Sequence, residues 1–85
     1  MKVTTAKQLA NYLQDTRHTQ GLSQSKIGEK IGLRQGTVSN FEQNPNSTKL
    51  ETLFRLLSAL ELEIEIKPRN AENNNTQTPT WEQEW

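Results

Sequence analysis

The sequence predicts an all-α domain of four to five helices, closed by one C-terminal β-strand and followed by a disordered polar tail. Three observations carry that reading. Apolar residues recur at i, i+3, i+4 and i+7 in successive segments up to Leu60, the pattern of helices with one buried stripe. At Leu60 the period changes to two, with Leu60, Leu62, Ile64 and Ile66 alternating against Glu61, Glu63, Glu65 and Lys67. Beyond Pro68 the composition turns to Asn, Thr, Gln and Glu, which cannot bury enough apolar surface to offset the entropy of ordering. Residues 1–68 are therefore read as one domain and 69–85 as a flexible acidic and polar tail.

The elements follow in order. Ala6, Leu9, Ala10 and Leu13 form the stripe of a first helix from about Thr5 to Arg17, with Thr5 and Gln8 in a capping-box pattern and Gly21 ending the connection. Ser23 is an N-cap flanked by Leu22 and Ile27 at the spacing of a hydrophobic staple, so a short second helix runs from about Gln24 to Ile31. Gly32 breaks it. A third helix spans about Gln35 to Gln43 and buries Val38 and Phe41, and Asn44-Pro45-Asn46-Ser47 is a turn. Thr48 and Glu51 repeat the capping box ahead of a fourth helix whose stripe is Leu50, Leu53, Phe54, Leu57 and Leu60. Leu56 falls off that stripe, at a dimer border or as an exposed leucine.

The alternating segment is a strand with no second strand to pair with. An unpaired ladder of N–H and C=O groups is best satisfied by the same strand of another copy, which predicts a homodimer held through Leu62, Ile64 and Ile66. Two antiparallel registers compete. A two-fold at Glu65 pairs Glu63 with Lys67 and Glu61 with Arg69 of the second copy, better in charge than one at Ile64, but it sets Leu62 against Pro68, which has no ladder donor.

Composition excludes several functions. An 85-residue chain of 9.8 kDa has room for one small core and not for a two-walled catalytic cleft. It has no cysteine and a single histidine, His18, which argues against thiolate chemistry, a metal cage or a Ser-His-Asp triad. No catalytic residue, metal or cofactor is expected. Apolar runs never exceed two residues and the N-terminus lacks a signal-peptide core, so a cytoplasmic protein is expected. The net charge of zero hides an asymmetry: residues 1–49 carry seven Lys/Arg against three Asp/Glu, and residues 50–85 carry three against seven. The basic half suits a polyanion such as nucleic acid and the acidic half a basic protein surface.

The window from Gln24 to Glu42 meets the steric demands of a helix-turn-helix. Gly28 is small where the second helix is crossed, Gly32 can take a positive φ in the turn, and Ile27, Ile31, Leu33, Val38 and Phe41 are apolar where the two helices lock. The window resembles the lambdoid phage repressor and Cro class, in a similar helical domain covering about residues 5–60. More narrowly, Leu22-Ser23-Gln24-Ser25, the run Gln35-Gly36-Thr37-Val38-Ser39-Asn40-Phe41-Glu42, the single strand and the tail ending Glu84-Trp85 resemble the HipB-type antitoxins of HipBA toxin–antitoxin systems. That resemblance implies a dimeric transcriptional repressor that binds a palindromic operator, autoregulates its operon, and neutralises a HipA-like kinase toxin. The alternative is a stand-alone phage-type or restriction-modification controller repressor with no toxin partner.

Roles are carried over position by position. Gln24 matches the family position that meets a phosphate and buttresses the first reading residue, here Gln35, whose amide suits adenine N6 and N7. Arg34 faces either a guanine or a phosphate. Thr37, Ser39 and Asn40 are short donors near the groove, and Lys26, Lys30 and Lys49 are candidates to neutralise phosphate, with a solvated surface as the other reading. Gly36 takes a reading position without a side chain, permitting closer approach, and Arg34 replaces a short N-cap at a cost of about 1 kcal/mol. Trp81 and Trp85 in the tail have the burial area and single donor of partner-binding anchors, or else are simply solvated.

Overall fold

A computed structural model describes residues 2–69, in the order α1 (Ala6–Thr19), α2 (Gln24–Ile31), α3 (Gln35–Gln43), a single 3₁₀ turn (Pro45–Ser47) and α4 (Leu50–Ala59). Four α-helices and no strand are found among the described residues. Trp81, Trp85 and the tail beyond Arg69 lie outside them.

Local chemistry sets the first two helices. Thr5 Oγ1 accepts the Gln8 N–H at 3.1 Å, and Gln8 Oε1 accepts the Thr4 N–H at 2.8 Å, so the box closes one residue further out than expected. α1 runs past Arg17 to Thr19 and ends at Gly21, whose φ of 72° allows the Leu22 N–H to reach the Arg17 carbonyl at 3.0 Å. Ser23 Oγ caps α2 by accepting the Lys26 N–H at 3.0 Å. Gly32, at φ 72°, ends it and lets the Leu33 N–H bond the Gly28 carbonyl at 2.8 Å. That return places the Leu33 carbonyl against Gly28, where any Cβ would collide with it. The smallness required at Gly28 thus comes from the turn backbone rather than from the side chains of α3.

The core joins Ala10 and Leu13 of α1, Ile27 of α2, Val38 and Phe41 of α3, and Leu56, Leu57, Ala59 and Leu60 at the end of α4. Two expectations about α4 are corrected here. Its buried arc is Leu53, Leu56, Leu57 and Leu60, with Leu56 only 2% exposed, while Leu50 and Phe54 are 71% and 54% exposed. Both arcs have helical spacing. The arc that is buried packs on the core of α1 to α3, and its last turn is held there by Gln20 Nε2, which donates to the Leu60 carbonyl at 2.9 Å, and Lys30 Nζ, which donates to the Ala59 carbonyl at 3.2 Å. Nor does Thr48 cap α4. Its N–H closes the 3₁₀ turn onto the Pro45 carbonyl at 3.0 Å, so the helix starts one residue later with Lys49 as its N-cap and no side-chain cap bond.

After α4, Glu61 takes φ 59° and the Leu62 N–H returns to the Leu57 carbonyl at 2.8 Å, a left-handed helix end without glycine. Residues 62–68 have no regular secondary structure, as the segment finds no ladder partner among the described residues. Leu62, expected at a dimer contact, is half-buried on the chain's own core, whereas Ile64 and Ile66 are exposed.

Candidate nucleic-acid interface

α3 buries Val38 and Phe41, which leaves its other side to solvent. Gln35, Ser39 and Gln43 line one row of that side at i, i+4 and i+8, and Gly36 and Asn40 the next. Gln35, Gly36, Asn40 and Gln43 are exposed, and Thr37 and Ser39 are half-buried. Thr37, Asn40 and Lys49 also line one shallow polar hollow with Ser47, Thr48 and Thr52, so the start of α4 is brought beside α3. Thr48 Oγ1 is buried there without a hydrogen-bond partner. Arg34 is the exposed N-cap of α3 and makes no cap bond, and Lys26 is exposed on α2. Lys30 is committed elsewhere, to the last turn of α4.

The pairing expected between Gln24 and Gln35 is present: Gln35 Nε2 donates to Gln24 Oε1 at 2.5 Å. Behind it lies an ion pair that sequence reasoning missed. Arg17 Nε meets Glu42 Oε2 at 2.7 Å and its Nη2 meets Glu42 Oε1 at 3.1 Å, with side chains only 8% and 4% exposed. Arg17 Nη1 also donates to the Leu22 carbonyl at 2.8 Å, which satisfies a further donor of the buried fork. Gln24 Nε2 donates to Glu42 Oε1 at 2.9 Å, so α1, α2 and α3 are tied by one polar chain that surfaces at Gln35. A signal for it existed. Arg17 stands four residues past Leu13, and Glu42 four past Val38, so each continues a buried stripe with a charge.

The chain matches a helix-turn-helix family model over residues 13–67. It is 39% identical to Antitoxin HipB of Escherichia coli (strain K12) over 83 residues, spanning 94% of each chain. Among solved structures it is similar to one titled HipB-O4 20mer complex, with TM-score 0.80 and 40% identity, covering 82% of this chain and 99% of that one. It is also similar to one titled Structure of HipA-HipB-O2-O3 complex, with TM-score 0.81, 40% identity and the same coverage.

Proposed function

The chain belongs to the HipB antitoxins of the helix-turn-helix family, and from that premise we propose that it represses its own operon as a homodimer on a palindromic operator and neutralises a HipA-like kinase toxin. The protein is a binding protein of the antitoxin class and not an enzyme. One observation carries the DNA reading: a paired glutamine, Gln35, stands exposed at the head of a helix whose outer side is lined by short polar groups. An amide so placed offers one donor and one acceptor to a base edge, and the open groove side of α3 has no apolar surface to hide. Around it, Arg34, Lys26 and Lys49 are exposed cations suited to phosphates, and Gly36 leaves room for a base or methyl group to approach the helix.

No helix among the described residues is long and apolar enough to cross a membrane. The strand from Leu62 to Ile66 forms when a second copy supplies its partner, with Ile64 and Ile66 on the shared face. Trp81 and Trp85 anchor the toxin. The test has two arms. The full chain is titrated against a palindromic duplex selected from a randomised library, and it is co-purified with the kinase-like product of the adjacent gene. Salt-dependent duplex binding that survives deletion of residues 69–85, with loss of the partner on the same deletion, is the expected result. Duplex binding with no partner captured by the full chain means a stand-alone repressor instead. No duplex binding overturns the reading.

A further inference from the structure

A helix end leaves its last carbonyls without intrahelical partners, and α4 ends on the core, with Ala59 and Leu60 only 5% and 3% exposed, so those carbonyls need donors. The chain leaving the helix supplies two. The Glu61 N–H reaches the Ser58 carbonyl at 3.0 Å and the Leu62 N–H the Leu57 carbonyl at 2.8 Å. The other two donors come from a distance: Lys30 Nζ, in the last turn of α2, reaches the Ala59 carbonyl at 3.2 Å, and Gln20 Nε2, just past α1, the Leu60 carbonyl at 2.9 Å, both in partly buried places. The Lys30 cation there also meets the negative end of the α4 dipole. α2 in turn moves with α3, because the Leu33 N–H bonds the Gly28 carbonyl at 2.8 Å and the Leu33 carbonyl leaves no room for a Cβ at Gly28.

Residues 62–66 therefore leave α4 at a point tied to the helix-turn-helix, in a direction set by Glu61 at φ 59°. We infer that Lys30 and Gln20 fix this exit relative to α3 and thereby set the spacing between half-sites that a pair of copies accepts. This rests on the reading of residues 62–66 as the strand that joins two copies across a two-fold axis. The axis repeats the exit geometry in the second copy, so any change at the exit is made twice between the two α3 helices. One base pair added between half-sites shifts the second by about 3.4 Å along the duplex and about 35° around it. An exit held by four bonds rejects that shift; an exit whose last helical turn frays follows it. Lys30 and Gln20 are positioning residues in this scheme, and neither reads a base.

The test titrates the full chain against three duplexes: an isolated half-site, the selected palindrome, and that palindrome with one base pair inserted between its half-sites. The parent should prefer the selected spacing by about 10-fold or more, because only that spacing lets both half-sites be engaged together. Gln20→Met and Lys30→Met keep the apolar stems and lose the donors. The double variant should bind the isolated half-site as the parent does, while its preference between the two spacings falls to within about threefold. Lys30→Arg keeps a cationic donor for the Ala59 carbonyl and should keep the preference. Gln20→Met alone carries the test if the double variant does not fold, and should lower the preference at least about threefold. A spacing preference left at the parent's value overturns the inference. So does an equal loss on all three duplexes with a shallower salt dependence, which makes Lys30 a phosphate contact. If the parent itself binds both spacings alike, the two-fold reading beneath the inference is wrong as well.

Discussion

A Cβ built at Gly36 meets nothing within 4 Å, so the fold itself has no steric use for the missing side chain. Glycine near a helix start costs backbone entropy that alanine does not, so Gly36→Ala should stabilise the protein by about 0.5–1 kcal/mol, read as a rise of a few degrees in Tm. If the bare backbone is there to let a base approach, the same variant should bind its duplex more weakly. Stability and affinity moving together in the same direction would remove that explanation. Gln35→Ala makes a complementary prediction, a loss of about 1–3 kcal/mol concentrated at one base pair. Lys26→Ala, by contrast, should weaken all sequences alike and flatten the dependence of log K on log salt by about one, as seen in titrations at several salt concentrations.

Among the helices, capping divides along the same line as exposure to the proposed ligand. α1 and α2 start at Thr5 and Ser23, whose hydroxyls accept backbone N–H groups; α3 and α4 start at Arg34 and Lys49, which make no cap bond. The uncapped pair are the two helices that share the polar hollow, α3 through Thr37 and Asn40 and the start of α4 through Lys49 and Thr52. Cations at those two starts oppose the helix dipole and satisfy no orphan donor, a stability loss that the proposed phosphate contact would offset on binding. Arg34→Ser and Lys49→Ser should therefore each raise unfolding free energy by about 0.5–1 kcal/mol in urea titrations while lowering duplex affinity and its salt slope. The caps at Thr5 and Ser23 and the turn glycines were readable from sequence because they act within four residues, and the expected bounds of α2 and α3 agree with the structure; the cap expected at Thr48 does not form, because the 3₁₀ turn before it takes its backbone. The rotation of α4 was not readable: Leu50, Leu53, Phe54, Leu57 and Leu53, Leu56, Leu57, Leu60 have identical spacing, and the arc that is buried is set by distant partners, the core residues of α1 to α3 and the contacts of Gln20 and Lys30 with its last turn. The Gln24–Gln35 contact was reached through family resemblance, whereas Arg17 and Glu42, 25 positions apart, announce themselves only as charges on apolar stripes.

For the molecule as a whole, the rotation of α4 has a consequence for assembly. It turns Phe54 out to a shallow groove shared with Leu62 and Ile64, and leaves Ile66 83% exposed beyond it. One copy of the chain thus carries an apolar face beside a segment whose backbone groups lack ladder partners, and the proposed two-fold pairing would cover both at once. Ile66→Asp separates assembly from folding. At an exposed position in a single copy it should change intrinsic stability by no more than about 0.5 kcal/mol. In the paired strand it sets two like charges near each other and removes apolar contact, so the dimer should dissociate in analytical ultracentrifugation at concentrations where the parent stays dimeric. Leu62→Asp serves as the contrast, because that side chain packs on the chain's own core and its loss should lower Tm as well. Monomeric Ile66→Asp should then bind an isolated half-site about as well as the parent's single domain does, yet lose the gain from two half-sites spaced about 34–36 Å apart. A variant that remains dimeric and keeps its full operator affinity would show that the two copies are joined somewhere other than this strand.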